Sequence, residues 1–342
     1  MAKRKYSKRT RNMQPAPMTI TFGLPVRSTA GVAYIDLSQC ASLVNRRFYR
    51  QGINWAIAGI KLVSTPGITG EVGLSKLPNT WVMSNAWEKS MRSWTRMNND
   101  ALVESQSVRP KFLDFKIYAD SQHHQLGFST NLLPAGHTAG EWEPSKVVYS
   151  NFGGVTVESK ELIAVGASYP GASPVTLLDA VSLIEGYAAS RGLPNVVDPN
   201  VPSDADDIGP SATPENWLSA MFNDGTGQME DVVEDMISEN NVAPYPFENG
   251  PVAGGVGTHT DTQYPGGANN ASGLQVHDIT KITASSIGSI SRLKGGNFPC
   301  GLLRFDTTNW NLPPGETQNL LMMIDMVPGT HRGYLCESMT EM

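Results

Sequence analysis

The chain has 342 residues, 40% of them hydrophobic and 17% charged, with a formal net charge of −6. That balance excludes a disordered polyelectrolyte, and no apolar run approaches the ~20 residues that a bilayer-spanning helix needs. The 33 Gly and 23 Pro are turn residues in quantity and predict many short strands.

The chain opens on MAKRKYSKRTR, in which Lys3, Arg4, Lys5, Lys8, Arg9 and Arg11 stand without a single acid. The arm is +6 in a chain that is −6, so the remaining residues sum to −12. A dense cationic arm on an acidic body predicts a phosphate contact with release of counterions; a nuclear localisation signal is compatible with it, and a solvated tail is the plain alternative. The basic stretch is followed by Met13-Gln14-Pro15-Ala16-Pro17 and not by an apolar segment, so a secretory signal is not expected.

Strands are predicted at 32–37 and 54–63, where β-branched and aromatic residues run between Gly, Pro and Ser. Between them, Arg46-Arg47-Phe48-Tyr49-Arg50 interleaves cations with rings, and in a strand Arg46, Phe48 and Arg50 share a face. Guanidinium forks bind phosphates and a flanking ring stacks on an exposed base; an ordinary strand end with snorkelling arginines fits equally well. Over 80–98, Met83, Trp87, Met91, Trp94 and Met97 recur at helical spacing, with Lys89, Arg92 and Arg96 on another face. That stripe predicts a helix packed on a sheet.

Further strands are expected at 112–118, 146–149, 155–157 and 161–165. Ser173-Pro174 then carries a helix-start signal, with an end before Gly192, and Thr213-Pro214 repeats it ahead of Trp217-Leu218. A short amphipathic helix is expected at 229–237, then a Gly/Asn-rich loop at 249–273. Over 192–280 there is no Lys or Arg, against fourteen Asp and Glu. The closing strands are expected at 301–305 and 320–327.

Strand-forming sequence on both sides of the acidic block predicts a mainly β chain, a single antiparallel jelly-roll β-sandwich that the later strands complete. Its parts are a basic nucleic-acid-binding arm at 1–17, disordered or extended; a first jelly-roll part at 18–172; a helical, acidic, outward-facing insertion at 173–242; and a loop with closing strands at 243–342.

No enzyme signature is present. Gly254-Gly255-Val256-Gly257 lacks the strand–helix frame of a phosphate loop, and there is no GxSxG. His123, His124, His137, His259, His277 and His331 are scattered; only His259-Thr260-Asp261 and His277-Asp278 set a carboxylate beside a histidine, a common arrangement in loops. Cys40, Cys300 and Cys336 form no CxxC pair, so neither a disulfide framework nor a zinc site is expected. Asp204, Asp206 and Asp207 offer oxygens to calcium without EF-hand spacing, and a solvated loop is the simpler reading. No cofactor or metal is expected.

Three stretches carry a family resemblance: LPNTWVMSNA at 77–86, GNFPCGL at 296–302 and VPGTHRGY at 327–334. With the basic arm and the strand-rich body, they resemble capsid proteins of circular single-stranded DNA viruses, the smacoviruses and related stool-associated circular viruses in particular. The resemblance implies a structural protein that self-assembles into an icosahedral shell, contacts a packaged single-stranded DNA through its arm, and meets a host surface receptor with outward loops. It places the chain in the virion, and during assembly in the nucleus of a eukaryotic host. The residues expected on nucleic acid are Lys3, Arg4, Lys5, Lys8, Arg9, Arg11, Arg46, Arg47 and Arg50, through non-specific phosphate contacts. Two other classes fit parts of the sequence. One is a cellular nucleic-acid-binding β-sandwich, small or monomeric. The other is a lectin-like jelly roll with an aromatic sugar platform, which leaves the arm unexplained.

Overall fold

The computed structural model describes residues 16–103, 106–108, 113–140, 142–150, 157–191, 217–220, 273–283 and 289–342. They are mainly β. In the first sheet β1 (Thr19–Arg27) pairs with β11 (Thr317–Met326), β11 with β3 (Ile53–Val63), and β3 with both β9 (Ile290–Phe298) and β12 (Cys336–Ser338). The second runs in the order β2 (Gly31–Asp36), β10 (Leu302–Thr308), β4 (Gly70–Lys76), β8 (Gln275–Ile282). Every pairing in these two sheets is antiparallel.

Period-two alternation is why the sheets face each other. Ile20, Phe22, Leu24 and Val26 of β1 and Leu320, Met322, Ile324 and Met326 of β11 are buried at every second position. They join Ile35, Val72, Leu74, Leu303 and Phe305 of the second sheet in one core. Each such side chain contributes about 1.5–3 kcal/mol through burial.

Residues 77–274 separate β4 from β8, and their described part builds a second core against the second sheet. The helix expected at 80–98 is α2 (Trp81–Ala101), capped by Thr80, whose hydroxyl accepts from the Met83 N–H at 3.3 Å. Its Met83, Trp87 and Trp94 pack with Phe115, Leu162, Tyr187 and Trp217, and this cluster reaches Tyr34 and Leu302 of the second sheet. A third sheet joins β5 (Lys146–Ser150), β6 (Val157–Ile163) and β7 (Ala180–Ser182), with β7 parallel to β6.

Four local expectations differ from the structure. Over 113–117 the alternation of Phe115 and Ile117 reflects burial, yet no strand pairs there. The Gln51 side-chain amide satisfies both the N–H and the C=O of Ile117, at 2.7 and 3.0 Å, and Ser145 does the same for Lys116. The two strands expected at 155–157 and 161–165 are a single β6 over its described length. Ser173 does accept from the Thr176 N–H at 3.1 Å, but Leu177 turns left-handed (φ 61°) and the chain enters β7; the helix, α3, is Leu183–Arg191. The 46–50 segment is not a strand. Asp36 caps a helix, α1 (Leu37–Asn45), which Arg46 closes in the left-handed conformation (φ 54°). Arg46, Phe48 and Arg50 therefore do not share a strand face.

At 217 the expected helix is present as Trp217–Ala220. The 229–237 helix and the 249–273 loop fall outside the described residues, apart from Gly273.

Candidate nucleic-acid interface

Lys3, Arg4, Lys5, Lys8, Arg9 and Arg11 lie outside the described residues, which begin at Ala16. The structure does fix where the arm joins the body. Tyr334, fully buried, donates its hydroxyl proton to the Pro17 carbonyl at 2.9 Å and accepts from Asn45 Nδ2 at 2.9 Å. Gly333 sits against Ala16 at positive φ (109°), where an added Cβ meets the Ala16 Cβ at 2.7 Å, so only glycine fits. Asn45 is the last residue of α1. The root of the arm is thereby tied to the helix end that carries Arg46.

The turn after α1 is held by its aromatic residue. Tyr49 is buried, with its ring 5.8 Å from Tyr334 and 5.9 Å from Trp55, centroid to centroid. Its N–H donates to Ser42 Oγ at 3.0 Å and its hydroxyl to the Arg332 carbonyl at 3.1 Å. Arg332 Nη1 donates to the Phe48 carbonyl, and the Arg332 guanidinium lies 5.9 Å from the Tyr49 ring centroid. His331 packs on the other side of this group, and burial together with Arg332 holds its imidazole below the ordinary histidine range.

With Tyr49 as the anchor, Arg46 and Arg50 are exposed and Arg47 is half-buried. None of the three makes an ion pair with a described residue. Several cations elsewhere are matched: Lys61 with Asp325 at 2.7 Å, Lys160 with Asp179 at 2.9 Å, Arg304 with Asp306 at 2.8 Å and with Asp120 at 2.9 Å. Arg47 also reaches the Tyr49 side chain and Arg50 acts on Asp114, while guanidinium groups outside an ion pair retain donors for an outside anion.

Beside the turn opens a cavity of about 300 Å³, lined on one hand by Ser42, Arg46 and Arg47 and on the other by Lys116 and Trp142. Beneath it lies Asp36, fully buried, which accepts from the Ser38 N–H (2.8 Å), Gln51 Nε2 (3.1 Å) and Trp142 Nε1 (2.5 Å). Burial pushes its carboxyl above the ordinary range, against the pull of the Ser38 and Trp142 hydrogen bonds. Asp114, in the cavity wall, is pushed by burial up to about 6, with Lys116 at 3.7 Å opposing the rise.

The other residues singled out in the sequence lie elsewhere. His277 Nε2 contacts the Gly295 carbonyl at 3.0 Å and its ring packs on Phe298, while Asp278 accepts from the Lys294 N–H at 2.8 Å. Both are tied to β9 separately. Asp204, Asp206, Asp207 and His259–Asp261 fall outside the described residues. Among those described, no three His, Cys, Asp or Glu side chains converge as metal ligands. Cys40, Cys300 and Cys336 are free thiols, and burial raises that of Cys336 to about 12. Sequence reasoning missed Asn45, Tyr334, Arg332, Lys116 and Gln39, which come from three distant segments. Only the Asp36–Ser38 cap pattern was a local signal of the helix that places Arg46.

No protein-family model, curated protein or solved structure matches this chain. Among the described residues no helix is long and apolar enough to cross a membrane.

Proposed function

We propose that the chain is a viral capsid protein that self-assembles into an icosahedral shell and packages single-stranded DNA. The observation that carries the reading is the meeting of two basic segments: the root of the +6 arm and the turn carrying the exposed Arg46 and Arg50 and the half-buried Arg47 sit at one end of a two-sheet body, joined through Asn45, Tyr334 and Pro17. A strand of phosphates running from the arm onto this end meets cations throughout, with counterion release as the driving force. The phosphate contacts themselves are non-specific.

The body supports the shell. Counted in chain order among the described residues, the eight long strands of the two larger sheets read 1-8-3-6 and 2-7-4-5. That alternation is what two Greek keys produce, and we read it as an antiparallel jelly roll, an architecture that viral shells use. The segment over 173–242, with the acid-rich stretch that follows, belongs in this reading on the outer surface, where its charge repels nucleic acid and its loops meet a host receptor.

Electron microscopy of the purified full-length chain tests the proposal. Closed particles enclosing nuclease-protected nucleic acid are the expected result. A monodisperse monomer that binds nucleic acid points instead to a cellular binding protein, and a monomer that binds only glycans to a lectin.

A further inference from the structure

The cavity beside α1 brings together donors from Gln39, Arg46, Arg47 and Lys116, with Asp114 as the carboxylate in its wall, and one of the donors is set by a relay of fixed direction. The Ala119 N–H donates to His123 Nδ1 at 3.0 Å, so the ring proton resides on Nε2, which faces Asn131 Oδ1 at 2.7 Å. Asn131 must then present its amide nitrogen to Gln39, and Nδ2 lies 3.2 Å from Gln39 Oε1. The Gln39 amide oxygen is consumed, and no described residue accepts from its NH₂ group. Gln39 is 7% exposed and lines the cavity. An amide held in one orientation at a cavity wall can donate to an acceptor atom of a ligand.

The surrounding walls say which ligand. Arg46, Arg47 and Lys116 supply charge for an anion, with Lys116 shared with Asp114 at 3.7 Å, and the cavity's apolar wall is built from Leu43, Phe48 and the edge of the largely buried Trp142, whose ring nitrogen is occupied by Asp36. An anion attached to a flat ring that carries a carbonyl or ring-nitrogen acceptor is a nucleotide. The volume, about 300 Å³, is at the lower end of the range for ligand pockets and suits one nucleotide, not a helix. We propose that this cavity holds a single nucleotide, phosphate on Arg46, Arg47 and Lys116 and base acceptor on Gln39, and that it makes the chain select single-stranded over duplex nucleic acid. A base in a duplex enters only after unpairing and unstacking, which costs a few kcal/mol, whereas a single strand offers it freely. The inference rests on the nucleic-acid reading above and adds a selectivity that the arm cannot supply.

The test is fluorescence anisotropy of the full-length chain with a labelled oligothymidylate and with a hairpin duplex of equal length. The single strand is expected to bind about tenfold more tightly or better. Thymidine monophosphate should compete at concentrations where inorganic phosphate and thymidine do not. Gly140→Leu fills the cavity from an exposed position whose new Cβ meets only the Leu43 Cδ2 at 2.9 Å, the end of a flexible side chain. It should abolish both the preference and the competition while leaving salt-sensitive duplex binding intact. Gln39→Glu keeps an acceptor for Asn131 and turns the free amide into a carboxylate oxygen; it should weaken thymidine monophosphate binding about tenfold. Inorganic phosphate competing as well as the nucleotide, or a Gly140→Leu chain that keeps its preference, overturns the pocket. Equal binding of single strand and duplex by the unaltered chain also overturns it and leaves the nucleic-acid reading standing. No binding of either strand type removes that reading itself.

Discussion

Asp36 is a single residue on which the interface depends three ways. Its carboxylate caps α1, orients Gln51 and holds the Trp142 ring at the cavity. Asp36→Ala removes the cap and leaves the Gln51 and Trp142 donors buried without an acceptor, so about 3 kcal/mol or more of stability should be lost, measured by denaturant unfolding. Asp114 acts in the opposite direction. Its pKa is raised from 3.8 to about 6 by burial, so the folded chain holds a proton there that the unfolded chain has released. Stability from this group is therefore present at low pH and declines as pH rises from about 4 to about 6. Asp114→Asn should flatten that decline and gain about 2 kcal/mol near pH 7. Unfolding curves for both chains at pH 4.5 and 7.5 check it; an equal difference at the two pH values would show that Asp114 is not the titrating group.

The Tyr334 clasp turns element packing into placement of the arm. Tyr334→Phe keeps the ring contacts with Tyr49 and Trp55 and loses the hydrogen bonds to Pro17 and Asn45. We expect a loss of about 1–2 kcal/mol and faster amide exchange at Ala16 and Met18 by hydrogen-exchange mass spectrometry, with the rest of the body unchanged. Elements with clear periodicity were legible in the sequence: α2 through its Met/Trp stripe, β3 and β11 through β-branched and apolar runs. Those without it were not. Strand β1 contains Gly23 and Pro25, which read as turn residues; Pro25 is tolerated because, among the described residues, β1 pairs on one side only. Strand β9 contains Gly295-Gly296, required because a Cβ at Gly295 would stand 2.3 Å from the Ile57 carbonyl oxygen. In both cases tertiary packing outweighs local propensity. The Arg46–Arg50 cluster was visible as composition; its conformation was not, since the buried Tyr49 fixes it through contacts with residues near the far end of the chain.

For the molecule as a whole, if the proposed capsid reading holds, charge is what separates the inside of the shell from its outside. The stretch 192–280 has fourteen acids and no Lys or Arg, and facing it toward a genome would set carboxylates against phosphates. Proteolysis of intact particles should therefore cut within 198–239 before it reaches residues 1–17. The arm follows the opposite rule. It has little apolar side-chain content to contribute to a core, and in that reading its six charges would neutralise about six phosphates, with an expected slope of log affinity against log salt of about −4 on a single strand. Deleting residues 1–12 should leave the unfolding midpoint and particle formation unchanged, because the body is closed by contacts that start at Ala16 and Pro17. The deletion should remove most encapsidated nucleic acid and reduce the salt slope by about that amount, leaving the weaker binding that Arg46, Arg47 and Arg50 provide. Particles of the truncated chain that package nucleic acid as fully as the intact ones would refute the arm's assignment.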